Sequence, residues 1–445
     1  MPNNLALFTD LYELTMAQAY FDEGMTADAV FSLFVRRLPR QRNFLLACGL
    51  DSVLDYLENL RFDEDDLAYL GSLGKFSDRF LAHLRDFRFS GTVYAVPEGT
   101  PIFANEPILE IVAPLLEAQI IETFIMNQIH LQTVLSSKAQ RVVMAAEGRP
   151  VIDFGPRRMH GIDAALKAAR AFYIGGVAAT SNVLAGKVYQ VPVAGTMAHS
   201  YIQAHDDERE AFRRFVRLYP ETVLLVDTYD TLEGVRRVIE LAITLGEQFK
   251  VSAVRLDSGD LLALSREVRG LLDQAGLDKV EIFASGGLDE DKVAQLVFSG
   301  APIDGFGVGT SMGVSKDAPD LDIAYKLCEY AGVGRLKLSH GKPILPGRKQ
   351  IFRVSENGND MRDVVAKADE HLPGRPLLEA VMRNGERLVA GRVDLESARA
   401  HASQQIADLP DHIRVITPAE PPYLVEVSSE LSRYQKEIED RVREM

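Results

Sequence analysis

The residues best suited to chemistry punctuate short apolar runs: Asp153, Arg157, Asp227, Arg255, Asp257 and Ser285. In Val251-Ser-Ala-Val-Arg255-Leu-Asp257 the arginine and the last aspartate are two apart, so on a strand they share a face. Opposite charges on one buried face are costly unless they serve each other or a ligand. A lone aspartate at a strand end is by default the N-cap of the next helix, and Asp227 or Asp230 is assigned that role. Two glycine-rich tips follow, Ser285-Gly286-Gly287 and Gly305-Phe-Gly307-Val-Gly309-Thr310. Glycine lets backbone N–H groups approach an anion, and the helix start beyond adds unpaired donors and a positive dipole. A tight turn accounts for either tip alone, whereas the consecutive pair points to a phosphate monoester. His199 follows the apolar Val191-Pro-Val and then Gly195-Thr196, which brings a base or nucleophile to the same region.

The elements that must position these residues alternate strand and helix. Runs ending at Asp153, Asp227, Asp257, Ser285 and Gly307 are each followed by a helical stretch, and segments near Gly176–Asn182 and Val191–Gly195 supply further strands. Such βαβα alternation predicts a parallel sheet, and six to eight units in one run fit a barrel with its site at the C-terminal strand ends. Before it, Asp10 and Glu13 form a capping box for a helix through about Phe21. Strands are expected at Ala29–Val35, Gly91–Val96 and Ile108–Val112, a helix at Leu50–Leu60, and Pro114 opens a long helix. Beyond Gly341 come strands at Gln350–Val354 and Pro421–Val427, then a charged helix over Ser429–Met445. The expected fold class is α/β: an irregular α/β barrel over residues 136–340, flanked by a smaller α+β domain. That domain is formed by an N-terminal segment, 1–135, completed by a C-terminal segment, 341–445.

Composition narrows the function classes. The chain has 445 residues and a formal net charge of −15, which excludes a general nucleic-acid or lipid binder. Its basic runs are Arg36–Arg37 with Arg40 and Arg42, Arg157–Arg158, and Arg348–Lys349, and there a small anion would be drawn. Cys48 and Cys328 are the two cysteines, too few for a disulfide framework or a cysteine zinc site. The most apolar stretch, Pro107–Leu135, carries Glu110, Glu117 and Glu122 and reads as buried helix, not membrane span. No secretory signal is read, so the expected location is cytoplasmic. No P-loop, dinucleotide-binding glycine motif or metal-ligand set is assigned. On these grounds alone a barrel lyase or isomerase acting on a sugar phosphate, or a non-catalytic nucleotide-binding barrel, stays open.

Eight stretches in order resemble the nicotinate phosphoribosyltransferase family. They are Thr9-Asp-Leu-Tyr12-Glu-Leu-Thr-Met16, Phe34-Val-Arg36-Arg37-Leu-Pro39, Asp153-Phe-Gly-Pro-Arg157-Arg158, Gly195-Thr-Met-Ala-His199-Ser, Arg255-Leu-Asp257-Ser-Gly-Asp260, Ser285-Gly-Gly-Leu-Asp289, Gly307-Val-Gly-Thr310 and Leu345-Pro-Gly-Arg-Lys-Gln350. The resemblance implies the reaction of nicotinate, phosphoribosyl pyrophosphate, ATP and water to nicotinate mononucleotide, diphosphate, ADP and phosphate, with Mg²⁺ carried by the diphosphate. It implies that His199 is phosphorylated by ATP, with Arg255 and Asp257 as further catalytic residues. The nicotinate carboxylate would be held by Arg255 and Thr196 and its ring stacked between Phe154 and Tyr12. Ser285, Gly286, Gly287, Gly307, Gly309 and Thr310 would take the ribose phosphate, and Arg36, Arg157 and Lys349 the diphosphate. Tyr12 would reach the neighbouring subunit's site, making a homodimer with shared active sites. Related nicotinamide enzymes have an aspartate where Ser181 stands, which would repel a carboxylate, so Ser181 favours the acid. Nicotinamide and quinolinate phosphoribosyltransferases are the nearest alternatives.

Overall fold

The computed structural model describes residues 4–338, 344–356 and 358–444. The chain divides into two compact units, one from Met1–Ser137 with Asp320–Met445, the other from Lys138–Pro319.

In the first unit, Asp28–Val35 lies between Pro107–Pro114 and Ile323–Tyr330, antiparallel to both, inside a seven-stranded sheet. All of its residues after Asp28 are buried, so it reads as an unbroken apolar run instead of an alternation. A four-stranded sheet carries Lys349–Glu356 and Asn359–Lys367, with Leu424–Val427 running parallel to the latter. The terminal helix covers Ser429–Glu444. The expected boundary at residue 341 lies outside the described residues. The strand Ile323–Tyr330 pairs with Asp28–Val35 and not with the barrel strands. The unit built from both chain ends is the larger of the two, not the smaller domain expected.

Two local expectations fail. Asp10 stands at the N-cap of Leu11–Asp22 but makes no side-chain cap. Its carboxylate accepts from the Thr123 hydroxyl, and Glu13 accepts from Thr123 and Thr9. Distant hydroxyls outcompete the local capping box. Pro114 ends its strand and caps a short helix, Leu115–Ile120, and the long helix Glu122–Ala145 begins after it.

The second unit holds six parallel strands in spatial order Ala179–Thr180, Val151–Asp153, Gly305–Val308, Glu281–Ala284, Ala253–Leu256 and Val223–Leu225. A single parallel bridge from Thr180 to Val193 extends the arc. Leu224, Val254, Leu256, Ile282, Phe306 and Val308 are wholly buried, the mark of strands covered on both faces. The helix Thr231–Leu245 buries Val235, Val238, Leu241 and Ala242 at helical spacing. Asp230, Asp260 and Asp289 cap the helices that follow three of the strands, each accepting from a first-turn N–H. Because the strands are all parallel, the tips between strand end and helix cap collect at one end of the sheet. The fold observed is of the expected α/β class: a half-barrel of parallel strands in one unit, and an α+β unit built from both chain ends.

Candidate active site

The strand order decides which tips meet. Val151–Asp153 pairs with Gly305–Val308, that strand with Glu281–Ala284, and that in turn with Ala253–Leu256. The two glycine tips are therefore adjacent, flanked by Phe154 on one side and by Arg255 and Asp257 on the other.

Arg255 lies with its guanidinium carbon 5.8 Å from the Phe154 ring centre and donates from Nη1 to the Thr196 hydroxyl. Burial pulls its pKa below the usual arginine range, and Asp257 and Asp227 pull against that. A guanidinium remains charged in any such setting. The result is a partly desolvated cation next to an aromatic face and a hydroxyl, which suits a planar aromatic carboxylate. Phe154 is aimed by its neighbours. Asp153, fully buried, accepts from Gly155 N at 2.8 Å and from the Thr180 hydroxyl at 2.7 Å. Burial pushes the Asp153 carboxyl up to about 6, although those two bonds favour its charged form. Ser181 N donates to the Asp153 carbonyl at 2.9 Å, which places Ser181 beside the same tip.

His199 opens the short helix His199–Gln203. Its Nδ1 is 3.1 Å from the Thr228 hydroxyl, and its Nε2 is 3.7 Å from an Asp257 carboxylate oxygen. The other Asp257 oxygen accepts from Ser285, so this serine, 2% exposed, steadies the aspartate. Asp227 is not an N-cap. Its carboxylate accepts from Asp257 N at 2.9 Å and the Ser258 hydroxyl at 2.6 Å, while Asp230 takes the capping role. Sequence reasoning misses Thr228 and undervalues Asp227. The signal available was the pair of polar residues between a strand end and a separate N-cap.

The glycine tips differ in what they require. Gly286 has φ +89°, and a Cβ there would lie 1.7 Å from the Asp257 carbonyl oxygen. The backbone thus passes directly over the Asp257 turn, which any side chain would block. At Gly307 a Cβ would fall 2.4 Å from the Phe154 ring, and at Gly305 it would fall 2.8 Å from Phe283. These two residues, alternate on one strand, clear space for two aromatic rings. Gly309 and Thr310 continue the tip into the four-residue helix Thr310–Gly313, and Arg157 stands exposed in the turn Pro156–Arg158.

The remaining candidates belong to the first unit. Tyr12 is 47% exposed on the first turn of its helix, with its hydroxyl bonded to Glu122. Burial and then the Glu122 and Glu13 charges raise its pKa. Arg36 pairs with Asp322 at 3.0 Å. Lys349 is 5% exposed, and its ammonium is taken by Glu110 at 3.0 Å and by the Leu345 and Gly347 carbonyls. With all three donors engaged in the interior, Lys349 does not present a cation to a diphosphate. That assignment is corrected to a structural one.

Comparison with known proteins identifies the family. Residues 7–130 fit the nicotinate phosphoribosyltransferase N-terminal domain, and residues 135–326 the quinolinate phosphoribosyl transferase C-terminal domain. The nicotinate phosphoribosyltransferase pncB2 of Mycobacterium tuberculosis is 57% identical over 96% of this chain and 92% of its own length. The chain belongs to the nicotinate phosphoribosyltransferase family. The Bacillus subtilis nicotinate phosphoribosyltransferase is 40% identical over 83% of this chain and 78% of its own. The crystal structure of human nicotinic acid phosphoribosyltransferase superposes with a TM-score of 0.86 at 28% identity, covering 96% of this chain and 99% of that one. No helix among the described residues is long and apolar enough to cross a membrane.

Proposed function

We propose that this chain catalyses attack of the nicotinate ring nitrogen on C1 of phosphoribosyl pyrophosphate, as the first step of NAD salvage from nicotinate. The C1–O bond to diphosphate breaks and nicotinate mononucleotide forms. The observation that carries this reading is the Arg255–Thr196–Phe154 group, a desolvated cation and a hydroxyl beside an aromatic face. Arg255 and Thr196 bind the carboxylate, and Phe154 aligns the ring so that its nitrogen meets C1 within a narrow angle. Ser181, with no negative charge, leaves the carboxylate tolerated. The Gly286–Gly287 and Gly307–Thr310 tips cradle the ribose phosphate, and Arg157 is the cation proposed for the diphosphate.

ATP is the proposed second substrate. Thr228 engages Nδ1 of His199, leaving Nε2 on the Asp257 side to attack the terminal phosphorus. The N–P bond forms as ADP leaves, and water later releases phosphate. Asp227 and Asp257 are the hard carboxylate donors that would help hold Mg²⁺, whose other ligands would come from substrate phosphates. The ion would neutralise charge on the leaving diphosphate.

The test is an assay for nicotinate mononucleotide with ATP and phosphoribosyl pyrophosphate omitted in turn, alongside γ-labelled ATP. The expected outcome is acid-labile label on His199, and slow transfer uncoupled from ATP in His199→Ala. Label retained in that variant, or ATP hydrolysis still in step with product, overturns the histidine's role.

A further inference from the structure

Next in the chain to the two glycine tips stands a charge group that the reaction does not use directly: Lys138, Arg141 and Glu290 are buried, and Asp317 lies at the surface. Lys138 and Arg141 stand three apart on one face of the helix Glu122–Ala145. The Lys138 ammonium bonds to Glu290 and reaches Asp317 at 2.8 Å. Arg141 Nε donates to the other Glu290 oxygen at 3.0 Å and lies 3.9 Å from Asp317. The Lys138 side chain is 1% exposed and that of Glu290 3%. Glu290 is the first residue of the helix that follows Ser285-Gly286-Gly287. Asp317 follows the short helix that continues the Gly307–Thr310 tip. One lysine therefore ties the far side of both tips together.

Buried ion pairs are weak sources of stability, because desolvation cancels most of the attraction, and apolar replacements are often as stable. What they supply is direction: an ammonium held by carboxylates from two loops fixes the distance between those loops. The loops need such an anchor, since Gly286 and Gly287, at φ +89° and +63°, have no side chains to hold them. We propose that Lys138 and Arg141, with Glu290 and Asp317, form a clamp that sets the spacing of the two glycine tips and thereby the affinity for the sugar phosphate. These are positioning residues. The affinity part rests on the function proposed above, whereas the spacing part does not.

The test is the double substitution Lys138→Met with Glu290→Gln, which removes one charge of each sign and so leaves the net charge of the group unchanged. Backbone hydrogen exchange in the substrate-free chain should quicken about tenfold at residues 285–290 and 307–317, with the Thr231–Leu245 helix unchanged. KM for phosphoribosyl pyrophosphate should rise about fivefold or more, with KM for nicotinate within about twofold of the parent. Should the double variant not fold, Asp317→Asn serves, and its quickened exchange should be confined to 307–317. Parental exchange at both tips in a folded variant overturns the clamp. Inactivity of the parent chain would instead overturn the proposed function, and the exchange rates would still decide the clamp.

Discussion

At the scale of single residues, the candidate site is built from side chains held by other side chains. Arg255 is oriented by Thr196 and lies over Phe154, and Asp257 is fixed at one oxygen by Ser285 and at its backbone by Asp227. Arg255→Ala should raise KM for nicotinate at least about tenfold, since a charge-assisted hydrogen bond is worth roughly 1.5–3 kcal/mol. Steady-state kinetics check this, and an unchanged KM refutes the carboxylate role. How much of this was legible varies by residue. Arg255, Asp257 and His199 announce themselves by type and position. Thr228 and the true work of Asp227 do not, because their partners are about thirty residues away on other strands.

At the scale of elements, the proposed function assigns the strand tips different tasks, and glycine substitutions should separate them. Gly286→Ala drives a methyl into the Asp257 carbonyl, so it should distort the Asp257 turn and weaken phosphoribosyl pyrophosphate binding most. Gly307→Ala presses on the Phe154 ring, so KM for nicotinate should suffer first. Paired KM measurements on the two variants test the division, and identical profiles would refute it. In the first unit, the helix Leu11–Asp22 is tied through buried Glu13 to Thr9 and Thr123. Burial raises the Glu13 carboxyl from 4.5 to about 7. The folded chain therefore holds this proton more tightly than the unfolded chain. The contribution of Glu13 is most favourable below its unfolded value and is lost as pH rises from about 4.5 to 7. Glu13→Gln should flatten that part of the decline in melting temperature, and a slope equal to the parent's would count against it.

At the scale of the whole molecule, the homodimer that the family resemblance implies would need an interface, and one surface can be tested for it. Ile162, Val183, Leu184, Val188 and Val193 are all exposed, and Val193 packs against Gly186 in the helix between them. A contiguous exposed apolar patch marks an interaction site, which makes these residues the ones to test. Leu184→Glu with Val188→Glu should leave the fold intact, since both positions are exposed, and shift the sedimentation coefficient to that of a monomer. Unchanged sedimentation of a dimer would move the interface elsewhere.

The sequence by itself determined what short-range physics governs. Apolar runs closed by capping aspartates define the parallel strands, and glycines at two consecutive tips mark places where backbone must pass close to something. Nicotinate and a phosphorylated His199 were reached only through resemblance. Tertiary structure decided what each glycine makes room for, which aspartate caps a helix and which holds a neighbouring strand, and that the Lys349 charge is buried against Glu110. Each of those outcomes depends on a partner remote in the chain, and the competition among remote partners is settled only when the strands are laid side by side.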